Sequence, residues 1–127
     1  MNPKQFLTLG GIVLVLVGVL GYVGVIGPTA ADSLFGDTWW FDQYENLVHF
    51  ILGVVALIAS FVLPHSLQKP LVIIVGLVAL FFTYWSAVVG ADFYGANLEQ
   101  HADTVLHLVV GAWALWAGLR KDSSMVM

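Results

Sequence analysis

The sequence predicts an all-α integral membrane four-helix bundle, built from two repeated helical hairpins with both termini cytoplasmic. Three observations lead there. The chain of 127 residues is 60% hydrophobic and only 9% charged, with a mean hydropathy of +0.93. Average soluble domains carry roughly 25% charged residues, so this chain lacks the charge to cover a water-facing surface. Four long stretches hold no Asp, Glu, Lys or Arg: residues 5–31, 46–68, 70–91 and 104–119. A helix crosses a bilayer core of about 30 Å with roughly 20 apolar residues. Helices also satisfy every backbone polar group inside lipid. Finally, the second half of the chain resembles the first.

Helix 1 is expected over about residues 6–26, thinned by Gly18, Gly21 and Gly24, which recur every third residue. Such a strip lets a neighbouring backbone approach. Pro28 ends the helix. Lys4, the apolar run and Ala30-Ala31 together look like a signal peptide, but the run exceeds the usual core of about 7–15 residues, so it is expected to remain as the first span. The long loop that follows carries Trp39, Trp40, Phe41 and Tyr44 among acids. It is expected to form an interfacial aromatic belt and a short interfacial helix. Helix 2 runs to about residue 63. Pro64 and Pro70 bracket an inner loop, PHSLQKP, which puts His65 in water with no role. Helix 3 is expected over about 71–90. Helix 4 has the shortest charge-free run, so it is expected to begin earlier, near Glu99, and to end before Arg120. One membrane domain, 1–127, results, with repeats over about 6–63 and 71–119.

Charge sets the orientation, because cationic loops resist translocation. Lys4, Lys69, Arg120 and Lys121 fall on one face. Asp32, Asp37, Asp42, Glu45, Asp92, Glu99 and Asp103 fall on the other; only Asp122 joins the basic side. Both termini are therefore expected on the cytoplasmic face of the cell's inner (plasma) membrane. A net charge of −4 leaves no basic footprint for nucleic acid. The absence of cysteine excludes disulfides, iron–sulfur clusters and thiolate zinc sites. The partners expected are the bilayer and either further copies of the chain or a larger membrane complex.

The repeat is clearest in NLVHFILGVVAL at 46–57 and TVLHLVVGAWAL at 104–115, which align without a gap. GYVGVIG at 21–27 resembles YWSAVVG at 84–90. Two spans per copy make the copies parallel, related by an axis along the membrane normal. The N-x-x-H-x-x-x-G-x-x-x-L pattern is carried by Asn46, His49, Gly53 and Leu57. The D-x-x-L-H-x-x-x-G pattern is carried by Asp103, Leu106, His107 and Gly111. On these motifs the chain resembles an uncharacterised bacterial family of small four-helix membrane proteins, known only as a domain of unknown function. The resemblance covers most of the chain. It implies the fold and the membrane location, and it supplies no activity.

Glu45 and His49 lie four residues apart, as do Asp103 and His107, so each pair shares a helix face. Polar groups in spans tend to face the bundle interior. Three site readings follow. In a polar lock, each carboxylate accepts a ring N–H, the histidines bond across the bundle, and the small residues Gly53, Ala56, Gly111 and Ala114 let the helices close. In a metal site, Glu45, His49, Asp103 and His107 hold zinc or another divalent ion, with His101 as an extra ligand or the acids orienting the rings. In a haem site, His49 and His107 ligate the iron from both faces. Gly53 and Gly111 would then clear room for the ring, and Tyr84, Trp85 and Trp113 would line the pocket. Transport is disfavoured because no charge lies at mid-depth. No nucleophile–base pair, phosphate loop or hydrolase elbow is present, so a non-enzyme is expected. The lock, in a structural or accessory protein with no cofactor, is the leading reading. A haem- or divalent-metal-binding protein is the alternative.

Overall fold

A computed structural model describes residues 1–90, 92–93, 96–97 and 102–120. The fold is all-α, and the described residues include four helices each long and apolar enough to cross a membrane. α1 covers Pro3–Tyr22 and α2 covers Gln43–Val62. α3 covers His65–Tyr84 and runs on through a π-helical turn, Trp85–Val89. α4 covers Ala102–Leu119. Two short strands, β1 (Asp92–Phe93) and β2 (Ala96–Asn97), pair antiparallel before α4. The proposed start of α4 near Glu99 falls outside the described residues.

Local chemistry explains the helix ends, several of which differ from the expected ones. α1 starts at Pro3 because Asn2 and Gln5 form a capping box: Gln5 N–H donates to Asn2 Oδ1 (2.8 Å) and Asn2 N–H to Gln5 Oε1 (3.0 Å). This satisfies two of the donors a helix start leaves open. α1 stops at Tyr22, not near residue 26, because Gly24 turns the chain at φ +95°, a conformation that glycine adopts without steric cost. Asp42 and Glu45 form a second capping box at the start of α2. α3 begins at His65, not residue 71. The N–H groups of Leu67 and Gln68 both donate to the Pro64 carbonyl (3.0 Å each), so only Leu63 and Pro64 separate α2 from α3. Pro70 lies inside α3. It is close to the helix start, and the bond its missing N–H forfeits is the one to residue 66. Between α1 and α2 there is no single interfacial helix. Two 3-10 turns, Ala30–Asp32 and Gly36–Thr38, fill the loop instead.

α1 packs chiefly on α2 and α3 chiefly on α4, and α1 touches both α3 and α4. Glycines bring each pair close. A Cβ on Gly11 would lie 3.0 Å from the Gly53 carbonyl, and one on Gly53 would lie 2.8 Å from the Gly11 carbonyl. In the second pair, a Cβ on Gly111 would lie 3.2 Å from the Gly76 carbonyl. The expected strip on α1 is in use only in part. Gly18 and Gly21 lie against Asn46, whereas Gly24 faces open space in the turn.

The four helix ends at the termini and at Leu63–Pro64 form one end of the bundle. The apolar core sits there: Phe6, Leu7, Ala59, Val72, Ala114 and Ala117. The Phe6 and Trp113 rings meet edge to face at 4.6 Å. Gln68, itself buried, donates through Nε2 to the Ala59 (3.3 Å) and Ser60 (3.1 Å) carbonyls. That bond pair satisfies the last turn of α2 and braces it against α3. Leu16, Ile58, Leu77 and Val109 on the helix flanks are exposed, as lipid-facing side chains are in a spanning bundle.

Candidate functional site

The opposite end, where the two long loops lie, is polar inside. The capping box fixes the first turn of α2 and directs Glu45 inward, to 5% exposure. Asp103, in the first turn of α4, is fully buried. The two carboxyl groups lie close enough to interact. A bond between two carboxyl groups requires a proton on one of them, because an ionised carboxylate can only accept. Asp103 Oδ1 also accepts from the Trp39 indole Nε1–H at 3.1 Å. Glu45 Oε1 accepts from the Asp42 backbone N–H at 3.2 Å. The α1–α2 pair, its loop and α4 are thereby joined through side chains, Trp39 and Asp103 being 64 positions apart in the chain.

The histidines lie one turn deeper. His49 and His107 are neighbours across the bundle. The Phe41 ring, itself 1% exposed, meets His49 edge to face at 5.3 Å. His107 lies against the Phe82 ring at 5.6 Å, beside the backbone carbonyl of Asp103. Nδ1 of each histidine is buried with no hydrogen-bond partner. The lock therefore differs from the expected one. The expected carboxylate–imidazole bond is not made at Nδ1 of either histidine, and the two carboxyl groups face each other across the bundle. The reason is geometric: the capping box and Trp39 hold both acids at the helix starts, and the aromatic rings occupy the space beside the imidazoles.

The four predicted side chains are thus brought to one end of the bundle. Among the described residues, however, no three His, Asp or Glu groups converge to hold a metal ion. Glu99 and His101 lie outside the described residues. The glycines clear no room for a macrocycle. A Cβ on Gly53 would meet the Val15 backbone nitrogen at 2.7 Å, and one on Gly111 would meet Leu80 Cδ2 at 2.7 Å. Gly53 faces α1 and Gly111 faces α3, so the space expected for a ring is filled by helix packing. Trp113 is at the other end of the bundle, against Phe6 and with its indole on Met1 Sδ (3.0 Å). Tyr84 is exposed, and the Trp85 ring lies tilted against Phe81 at 6.0 Å.

Several contributors carry no obvious signal in the sequence. Trp39 and Phe41 belong to the aromatic loop, whose composition suits a membrane-surface belt; Tyr44 alone of these, 62% exposed, points outward in that manner. A clue is their place immediately before the Asp42–Glu45 cap, which ties the loop to α2. Asn46 is buried, donating from Nδ2 to the Phe41 carbonyl (3.4 Å) and Gln43 Oε1 (3.3 Å). Its Oδ1 packs on Gly21 without a hydrogen-bond partner. In the second pair, Ser86 and Thr104 share a hydrogen bond of 2.6 Å. Comparisons with protein-family models, with curated proteins and with solved structures found no match to this chain.

Proposed function

We propose that this chain is a small structural or accessory multi-pass protein of the inner (plasma) membrane, and that its polar cluster fixes how the two helix pairs meet. The observation that carries the reading is the hydrogen bond of 3.1 Å from the Trp39 indole to the fully buried Asp103, made beside the buried Glu45. Polar bonds between membrane helices average only about 0.6 kcal/mol, so the cluster sets register and pairing more than bulk stability. The division of charge along the chain favours cytoplasmic termini. The resemblance to a four-helix bacterial family belongs to the same reading. Nothing in the cluster provides a nucleophile with a base beside it, which favours a role without catalysis.

The test removes the shared partner. Asp103→Ala leaves Glu45 and the Trp39 indole buried without it, and should destabilise the detergent-solubilised protein by about 2 kcal/mol. Asp103→Asn keeps an acceptor and supplies donors, and should lose less than half of that. Equal, negligible losses in both variants would refute the lock. A second reading, His49 and His107 as ligands of haem or a divalent metal, is favoured by their two buried, unpartnered Nδ1 atoms. A visible absorption spectrum and elemental analysis of the same wild-type sample decide it. A Soret band, or one metal per chain, abolished in His49→Ala and His107→Ala would establish that reading. A colourless and metal-free sample would remove it.

A further inference from the structure

The loop between α1 and α2 carries an apolar tip that the polar cluster does not use. Leu34 and Phe35 are 79% and 51% exposed there. They stand between the two 3-10 turns, Ala30–Asp32 and Gly36–Thr38. On the reading that this chain spans a membrane, on which the inference rests, we propose that the tip inserts into the lipid interface at its own end of the bundle. The loop then lies on the bilayer and does not project from it.

The tip is built into the fold. Leu34 N–H donates to the Val25 carbonyl at 2.8 Å, and Ile26 pairs with Ser33 in an antiparallel bridge. Ser33 Oγ donates to the Trp39 carbonyl at 2.7 Å and accepts from the Phe35 N–H at 3.1 Å. The Gly36 N–H donates to the Ser33 carbonyl at 3.0 Å, which closes the turn. The Phe35 ring lies tilted at 5.4 Å from the Trp39 ring, whose indole is bonded to Asp103. A turn held in this way presents its side chains with little ordering cost left to meet when they bind. Leucine and phenylalanine side chains gain by leaving water, and nothing in their hydrogen bonding requires them to stay in it.

Depth identifies the partner. α1 has 20 residues, about 30 Å at 1.5 Å per residue, which matches the hydrocarbon core of a bilayer. Val25 lies just past the end of α1, and the Leu34 bond ties the tip to that level. The tip therefore stands at the headgroup boundary, within reach of hydrocarbon. Continuity is the second support. Leu16, Leu20 and Val23 are exposed at helical spacing on one face of α1 and its cap, so lipid-facing surface runs along the helix almost to Val25. Asp32 and Asp37 are exposed on either side of the tip. They repel an anionic surface, which leaves the contact to the apolar pair and favours lipid of no net charge.

The test uses the full chain in phosphatidylcholine nanodiscs, where both bilayer faces meet water. The sequence has no cysteine, so Leu34→Cys, Asp37→Cys and Leu16→Cys can each carry one environment-sensitive fluorophore. All three positions are exposed, and the fold tolerates the label. Quenching by aqueous iodide and by spin-labelled phosphatidylcholine is then compared. The label at Leu34 should be quenched several-fold more by the lipid, and several-fold less by iodide, than the label at Asp37. The label at Leu16 should respond to the lipid alone; iodide quenching there would overturn the membrane-spanning reading itself. With Leu16 in lipid, equal iodide quenching at positions 34 and 37 would overturn the insertion and place the tip in water. Shielding of the Leu34 label from both quenchers would also overturn it, and would indicate cover by protein, such as a second copy of the chain.

Discussion

Asp103 and Trp39 meet across 64 residues, and the consequence of that contact is measurable at a single atom. Trp39→Phe keeps an aromatic ring but deletes the indole N–H together with the five-membered part of the bicycle. It should cost about 1 kcal/mol, the typical net value of one hydrogen bond. Combined with Asp103→Ala, the losses should be less than additive, because both variants remove the same bond. Full additivity in a double-mutant cycle would mean that the contact carries no energy. At this scale the sequence is legible for the acids and histidines and silent about their bonding. Spacing by four residues places Glu45 with His49 on one helix face. It cannot reveal that the capping box with Asp42 draws the Glu45 side chain to the helix start, or that Asp103 offers it a partner from α4. Trp39 was beyond reach for a different reason: an aromatic side chain in a loop rich in acids has the same composition whether it faces lipid headgroups or folds inward.

Among the elements, the helices themselves are legible because charge is excluded from long runs, while their ends are decided by residues that such runs do not mark. Asn2 with Gln5 starts α1 early, Gly24 stops it early, and Pro64 allows α3 to begin at His65 despite Pro70. The glycines illustrate the same limit. Gly53 and Gly111 follow the histidines by one turn, a placement suited to clearing space for a ligand, yet they face Val15 and Leu80 on neighbouring helices. Packing explains them fully. A paired substitution tests it. Gly53→Ala would drive a methyl group to 2.7 Å from the Val15 backbone nitrogen, a contact that only separation of α1 and α2 can relieve, and should destabilise by about 1–3 kcal/mol. Gly10→Ala, whose nearest neighbour is the Phe6 ring at 4.0 Å, should instead gain up to about 1 kcal/mol from helix propensity. Thermal melts of both variants in one detergent check the pair, and a tolerated Gly53→Ala would mean that the two helices do not pack through this glycine.

For the whole molecule, the two ends differ in chemistry and in the direction they are expected to face. The chain has no cysteine, so single introduced thiols can report orientation. Asp37 is exposed in the loop at one end, and Ser66 is exposed at the other. With cytoplasmic termini, a membrane-impermeant maleimide added to intact cells should label Asp37→Cys and spare Ser66→Cys until the membrane is opened. The reverse pattern would invert the topology.

The connection between α2 and α3 consists of Leu63 and Pro64 alone, and it lies beside the apolar core. The polar cluster closes the far end. Such a bundle is built like a clothes-peg: its spring is the greasy end, where parting the helices would expose Phe6, Leu7 and Val72, and its jaws are Glu45 and Asp103. Water can replace what the jaws lose on opening, since carboxyl groups at the helix starts are well solvated, whereas lipid tails do not reproduce the close packing that the spring would lose. Any breathing of the fold therefore begins at the jaws, and amide hydrogens in the first turns of α2 and α4 should exchange before those around Ala59 and Ala114.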